Sequence, residues 1–120
     1  MNNLQKRLFE FGANVILYLR KVPWSRETQV VKDQLIRSAT SPGAVYEEAQ
    51  GAVTRPDFHN KINCCLKEIR ESGYWLRMLE RIGNKTDELT DLIKESDELK
   101  KIFNVISKKT EKLKSTESTK

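Results

Sequence analysis

The side chains that could carry out chemistry are few, and their spacing does not favour it. The chain holds one histidine, His59, and two adjacent cysteines, Cys64 and Cys65. A thiol becomes a nucleophile when a base lies within hydrogen-bonding reach. On a helix, His59 and Cys64 do not share the spacing that brings side chains together. One imidazole cannot supply a triad of metal ligands. The Glu-x-x-His sequence of di-iron bundles is missing, neighbouring cysteines cannot close a zinc site, and there is no glycine-rich phosphate loop. His59 therefore reads as a surface or capping residue in the first turn of a helix. Two carboxylate pairs, Glu47 with Glu48 and Glu68 with Glu71, could in principle serve as acid and base. Ion pairing with Arg37, Lys67 or Arg70 is the reading we adopt. The expectation is a non-enzyme with no metal and no cofactor.

The basic residues are more informative. The formal net charge is +5 and the sequence pI about 9.3, a balance that favours anionic partners. Lys6, Arg7, Arg20 and Lys21 flank the first helix. Arg55, Lys61, Lys67, Arg70, Arg77 and Arg81 stud the third, and the spacing of Arg70, Arg77 and Arg81 puts them on one face. Trp24, Tyr74 and Trp75 could stack on unpaired bases. Two readings stay open: a solvated face with aromatics packed at the bundle edge, or a surface that binds phosphates and bases. A symmetric ring would repeat each patch and favour the second.

The elements that must carry these residues are helices. Leu4, Leu8, Phe11, Val15, Tyr18 and Val22 recur in steps of three and four, and Pro23 ends that helix. Ser25 caps a second helix with Glu27 in its first turn, and its stripe runs Val31, Leu35, Ser38, Pro42, Val45, Ala49. Pro42 and Gly43 predict a kink near Thr40 to Gly43, and Gly51 a stop. Thr54 and Asp57 form a variant capping box for a third helix whose stripe is Phe58, Ile62, Cys65, Ile69, Gly73, Leu76, Leu79, ended by Gly83. Thr86 caps the fourth, with Leu89, Leu92, Ser96, Leu99, Phe103 and Ile106 inward. Short connections make successive helices antiparallel. The prediction is an all-α, antiparallel up-and-down four-helix bundle over residues 1–107, with a basic flexible tail over 108–120.

Phe9, Ile16, Tyr46 and Trp75 lie beside the main stripes, which predicts burial against another copy of the chain. Adjacent cysteines on a helix diverge by about 100° and cannot bridge without strain, so we expect reduced thiols and a cytoplasmic location. No apolar run suggests a signal peptide or a membrane span.

The stretch Gln34-Leu35-Ile36-Arg37-Ser38, then Gly43-Ala44-Val45-Tyr46-Glu47-Glu48-Ala49, then Asp57-Phe58, then Lys67-Glu68-Ile69-Arg70-Glu71 with Tyr74-Trp75-Leu76, carries a family pattern. It closely resembles the bacterial four-helix-bundle family named after proteins encoded in intervening sequences of 23S ribosomal RNA genes. The accessory protein of diversity-generating retroelements is similar in fold. Arg37, Ser38, Glu48, Asp57, Phe58 and Trp75 fall on the motif. Pro42 stands where the family usually has Ile, and Val45 where it usually has Asn. The polar interaction of that Asn is therefore absent here.

The resemblance implies an up-and-down bundle that assembles as a homopentamer. Through the retroelement relative, it also implies a basic ring that binds nucleic acid and a nucleic-acid enzyme. For this chain it sets an expectation: a non-enzymatic oligomer that binds RNA or DNA through Lys6, Arg7, Arg20, Lys21, Arg70, Arg77 and Arg81. The rival is a structural or adaptor scaffold for a protein partner, whose charge serves solubility. Arg37 and Glu48 are expected to fix helix packing or a subunit interface.

Overall fold

The computed structural model describes residues 1–118, with side chains described through Lys112. Four helices follow one another: α1 Asn3–Leu19, α2 Arg26–Ala49, α3 Arg55–Arg81 and α4 Asp87–Ser118. The local signals act where the sequence puts them. Ser25 Oγ accepts the backbone N–H of Thr28 at 3.1 Å, while Thr28 Oγ1 accepts that of Ser25 at 3.0 Å, closing a capping box. Thr54 accepts from Asp57 N at 3.2 Å, the cap without the return bond of the box read there, and Thr86 accepts from Leu89 N at 3.1 Å. Beyond α3, Gly83 takes φ +105°, and Asn84 N–H reaches back to the Leu79 carbonyl at 3.0 Å. That left-handed position suits glycine and closes the orphan carbonyls of the last turn.

Each helix packs against its two neighbours in the ring order α1, α2, α3, α4, with α4 returning to α1. The pairings run in opposite directions along each seam. Between α2 and α3, Arg37 meets Glu68 while Pro42 O meets Cys65; between α3 and α4, His59 meets Thr110 while Arg77 meets Asp97. The result is an antiparallel four-helix bundle with extents of 55 × 24 × 23 Å.

The core is the predicted set of stripes. Leu8, Phe11 and Val15 of α1, Leu35 and Ala39 of α2, Ile62, Cys65, Ile69, Leu76 and Leu79 of α3, and Leu89, Leu99 and Phe103 of α4 are all buried. Each large apolar side chain removed from water contributes about 1.5–3 kcal/mol. The polar members are satisfied locally: Ser38 donates to the Leu35 carbonyl, and Ser72 lies 3.1 Å from Ser38 Oγ and 3.0 Å from the Glu68 carbonyl.

Several expectations are corrected or sharpened. Helix α2 runs unbroken through the buried Pro42. Tyr46, expected on the outside, turns into the core and meets Phe103 edge-on, with ring centroids 5.8 Å apart. Helix α4 continues through Ser118, so within the described residues the tail predicted over 108–120 begins as helix, and its last two residues lie outside them. No helix among the described residues is long and apolar enough to cross a membrane.

Candidate functional site

The basic residues divide into two sets once the helices pack. In the first, an acid on a neighbouring helix takes up the charge. Arg7 of α1 grips Glu95 of α4, with Nη2 to Oε1 at 2.5 Å and Nε to Oε2 at 3.1 Å. This hydrogen bond outweighs the opposing effect of burial and pushes the guanidinium pKa above its ordinary value. Lys21, at the end of α1, reaches Glu88 at 2.8 Å. Arg77 of α3 forks onto Asp97 of α4 through Nη2, at 2.9 and 2.8 Å. These pairs sit where side chains flanking two buried stripes meet.

In the second set, Lys6, Arg20, Arg70 and Arg81 are exposed, and none has an acidic partner among the described residues. Arg70 and Arg81 project from the outward face of α3. Tyr74, 57% exposed, stands on that same helix between them. The ring of Tyr74 lies 4.9 Å from that of Trp75, nearly perpendicular to it. Trp75 is half-buried against the core and donates its indole N–H to Glu71 at 3.0 Å. Trp24 is 74% exposed in the connection between α1 and α2.

The motif residues take structural places. Arg37 bridges Glu68 at 2.9 Å and also contacts Glu71, so its acidic partners lie on α3. Glu48, expected to help fix helix packing or a subunit interface, is exposed, and its side chain has no bonded partner among the described residues. Ser38 is fully buried in the α2–α3 seam. Asp57 sits in the first turn of α3 and pairs with Lys61 at 3.7 Å, while Phe58 packs against the core. Glu47 accepts from Gln5 at 2.8 Å. The ion pairing read from the sequence thus holds for Glu68 and Glu71 with Arg37, but not for Glu47, which accepts from a neutral amide, or for Glu48.

His59 corrects its sequence reading, because it is buried. Its Nδ1 lies 2.7 Å from Thr110 Oγ1 and its Nε2 3.0 Å from Asn63 Nδ2. Thr110 donates to the Ser107 carbonyl, and Ser107 donates to Asn63 Oδ1 at 2.5 Å. The set closes when Nδ1 carries the ring proton and Nε2 accepts from the Asn63 amide. His59 therefore ties the start of α3 to the far part of α4. Cys65 is fully buried, and burial pushes its thiol up to about 12. No group of three or more His, Cys, Asp or Glu among the described residues is placed to hold a metal ion.

An apolar groove of 580 Å³ opens between α1 and α2, floored by Gly12, Ala13, Gly43 and Ala44 and rimmed by Phe9 and Ile16. Phe9, which lies beside the α1 stripe, is 58% exposed.

Sequence reading missed the counterions Glu95 and Asp97 and the cation Lys100. A signal was present. Asp97 and Lys100 lie within a turn of the buried Ser96 and Leu99, so they border the buried stripe and face the neighbouring helix.

These features define a class: an all-α bundle whose polar residues serve helix packing and whose unpaired cations face outward. The chain belongs to the 23S rRNA-intervening sequence protein family, whose model matches residues 2–105. It is similar to a crystal structure from Bacteroides thetaiotaomicron of a protein of unknown function from the S23 ribosomal protein family. The two share 32% identity and a TM-score of 0.80, over 88% of this chain and 98% of the other. No curated protein matches.

Proposed function

We propose that this protein is a non-enzymatic, oligomeric four-helix bundle that binds RNA or DNA through a basic surface and acts in the cytoplasm. The observation that carries this reading is the outward face of α3. There Arg70 and Arg81 have no acidic partner among the described residues, and the exposed Tyr74 lies between them. Phosphate oxygens satisfy unpaired guanidinium groups, and bases stack on an exposed phenol ring. Lys6 on α1 and Arg20 at its C-cap add unpaired charge on the helix diagonal to α3. The pairing of Arg7, Lys21 and Arg77 with acids makes these three secondary contributors. Self-assembly into a homo-oligomer, a pentamer by family resemblance, multiplies the net charge and fits the apolar groove between α1 and α2.

Fluorescence anisotropy of labelled RNA and DNA across a salt series tests the reading, with light scattering to count subunits. Affinity that falls linearly with salt on logarithmic axes, and is lost on changing Arg70 and Arg81 to Glu, is the expected result. Absence of binding at low salt overturns it.

One observation favours a second reading. The α1–α2 groove is lined mainly by apolar and small residues, which suits a protein partner and makes the bundle an adaptor. Co-purification of a stoichiometric protein by a chain that binds no nucleic acid would select this alternative.

A further inference from the structure

We infer that the groove between α3 and α4 holds one nucleotide of a single-stranded polynucleotide, with Arg70 and Lys100 on the phosphate and Tyr74 against the base. This rests on the nucleic-acid reading above and locates it.

The groove has a volume of about 390 Å³ and is lined by three cations, Arg70, Arg77 and Lys100, against one carboxylate, Asp97. That volume lies at the small end of the ~300–1,000 Å³ range of ligand sites and matches a compact ligand. Asp97 does not repel an anion there, because Arg77 holds both of its oxygens at 2.8–2.9 Å. Two positive charges remain. Neither Arg70 nor Lys100 has an acidic partner among the described residues, and they reach the groove from different helices. A phosphodiester between them neutralises charge that the fold leaves uncompensated.

The floor is built for access. Gly73 faces Ser96 across the seam. A Cβ on Gly73 would come within 3.1 Å of Arg77 Nη1 and 3.4 Å of Ser96 Oγ. The missing side chain keeps the floor open and lets Arg77 lie along α3 towards Asp97. At the mouth stands Tyr74, packed nearly perpendicular to Trp75, which is itself anchored to Glu71. An aromatic ring in this position stacks on a base whose own face is free. Bases within a duplex are covered by their neighbours, so the arrangement selects an unpaired strand.

The test is anisotropy with short labelled oligo(dT) and oligo(rU), and with a duplex of equal length. The wild-type chain is compared with Tyr74→Ala, Tyr74→Phe, Gly73→Ala and the pair Arg70→Gln with Lys100→Gln. Circular dichroism checks that each variant folds. Single strands bind more tightly than duplex. Tyr74→Ala weakens single-strand binding by about fivefold to 150-fold, the loss of one stacked base, while Tyr74→Phe keeps it. The double charge variant lowers the salt slope by about 0.7 for each phosphate it no longer neutralises. Gly73→Ala weakens binding by filling the floor and crowding Arg77, with no change in net charge. If the wild type binds no nucleic acid, this inference falls together with the parent reading. If the wild type binds but the Tyr74, Gly73 and charge variants match it in affinity and slope, the groove is excluded while a basic surface elsewhere stands. Duplex bound as tightly as single strands, with Tyr74→Ala unchanged, also excludes the groove.

Discussion

Arg37 on α2 reaches Glu68 on α3 at 2.9 Å, and Glu68 is 8% exposed, so one guanidinium neutralises a carboxylate that water hardly touches. The same guanidinium contacts Glu71, which accepts the Trp75 indole N–H. Removing Arg37 leaves Glu68 buried and uncompensated. Breaking a fully buried pair costs about 3–5 kcal/mol. Arg37 is itself half-exposed, so Arg37→Ala is expected to cost about 1–3 kcal/mol by urea denaturation. Adding Glu68→Gln should recover part of the loss. An unchanged midpoint for Arg37→Ala would show that the pair does not hold the seam.

Gly12 and Gly43 are predicted to respond to alanine with opposite signs. A Cβ at Gly12 would lie 3.1 Å from the Ala39 carbonyl oxygen, a backbone atom that cannot step aside, whereas at Gly43 the nearest atom is 3.6 Å away. Alanine favours a helix interior over glycine by about 1 kcal/mol. At Gly43 that gain is retained, and the melting temperature should rise. At Gly12 overpacking of about 1–3 kcal/mol offsets it, and the melting temperature should fall. Thermal unfolding followed by circular dichroism reads both signs.

Cys65 is expected to make the fold sensitive to alkali. Burial raises its thiol from 9.0 to about 12, and burial also raises Tyr18 above its ordinary 10.0. Above pH 9 the unfolded chain gives up protons that the folded chain keeps. Stability is therefore flat below about pH 9 in this respect and declines as the pH rises towards about 12, by at most about 1.4 kcal/mol per pH unit per group. Cys65→Ser should flatten the decline in denaturation series at several pH values. In the folded protein, thiol reagents should modify the half-buried Cys64 and spare Cys65 until denaturant is added.

His59 is expected to control the local stability of α4 beyond the core. It joins Thr110 at 2.7 Å and Asn63 at 3.0 Å, and Asn63 accepts from Ser107. His59→Leu removes the ring from the buried Thr110 hydroxyl and from the Asn63 amide, which keep only their bonds to Ser107, at a cost of about 1–3 kcal/mol. Hydrogen exchange should accelerate around Thr110 and stay unchanged in α1. Uniform acceleration would mean that His59 supports the whole core instead.

The sequence by itself determined the number of helices, the N-caps of α2, α3 and α4 and the inward face of each helix. These follow from local physics: a step of three and four residues, a hydroxyl or carboxylate at a first turn, a glycine where φ must be positive. Leu8, Phe11, Val15, Ile62, Leu76, Leu99 and Phe103 are core residues on both readings. The tertiary structure decided how each helix is rotated and offset along its axis against the next, and periodicity does not fix either quantity. Rotation and offset together decide that Arg77 meets Asp97 and Arg7 meets Glu95. Which cations are paired and which have no acidic partner among the described residues was therefore not legible in the chain. His59 and Tyr46 turned inward for the same reason. Their neighbours lie 51 and 57 positions away, and only packing brings Thr110 and Phe103 beside them.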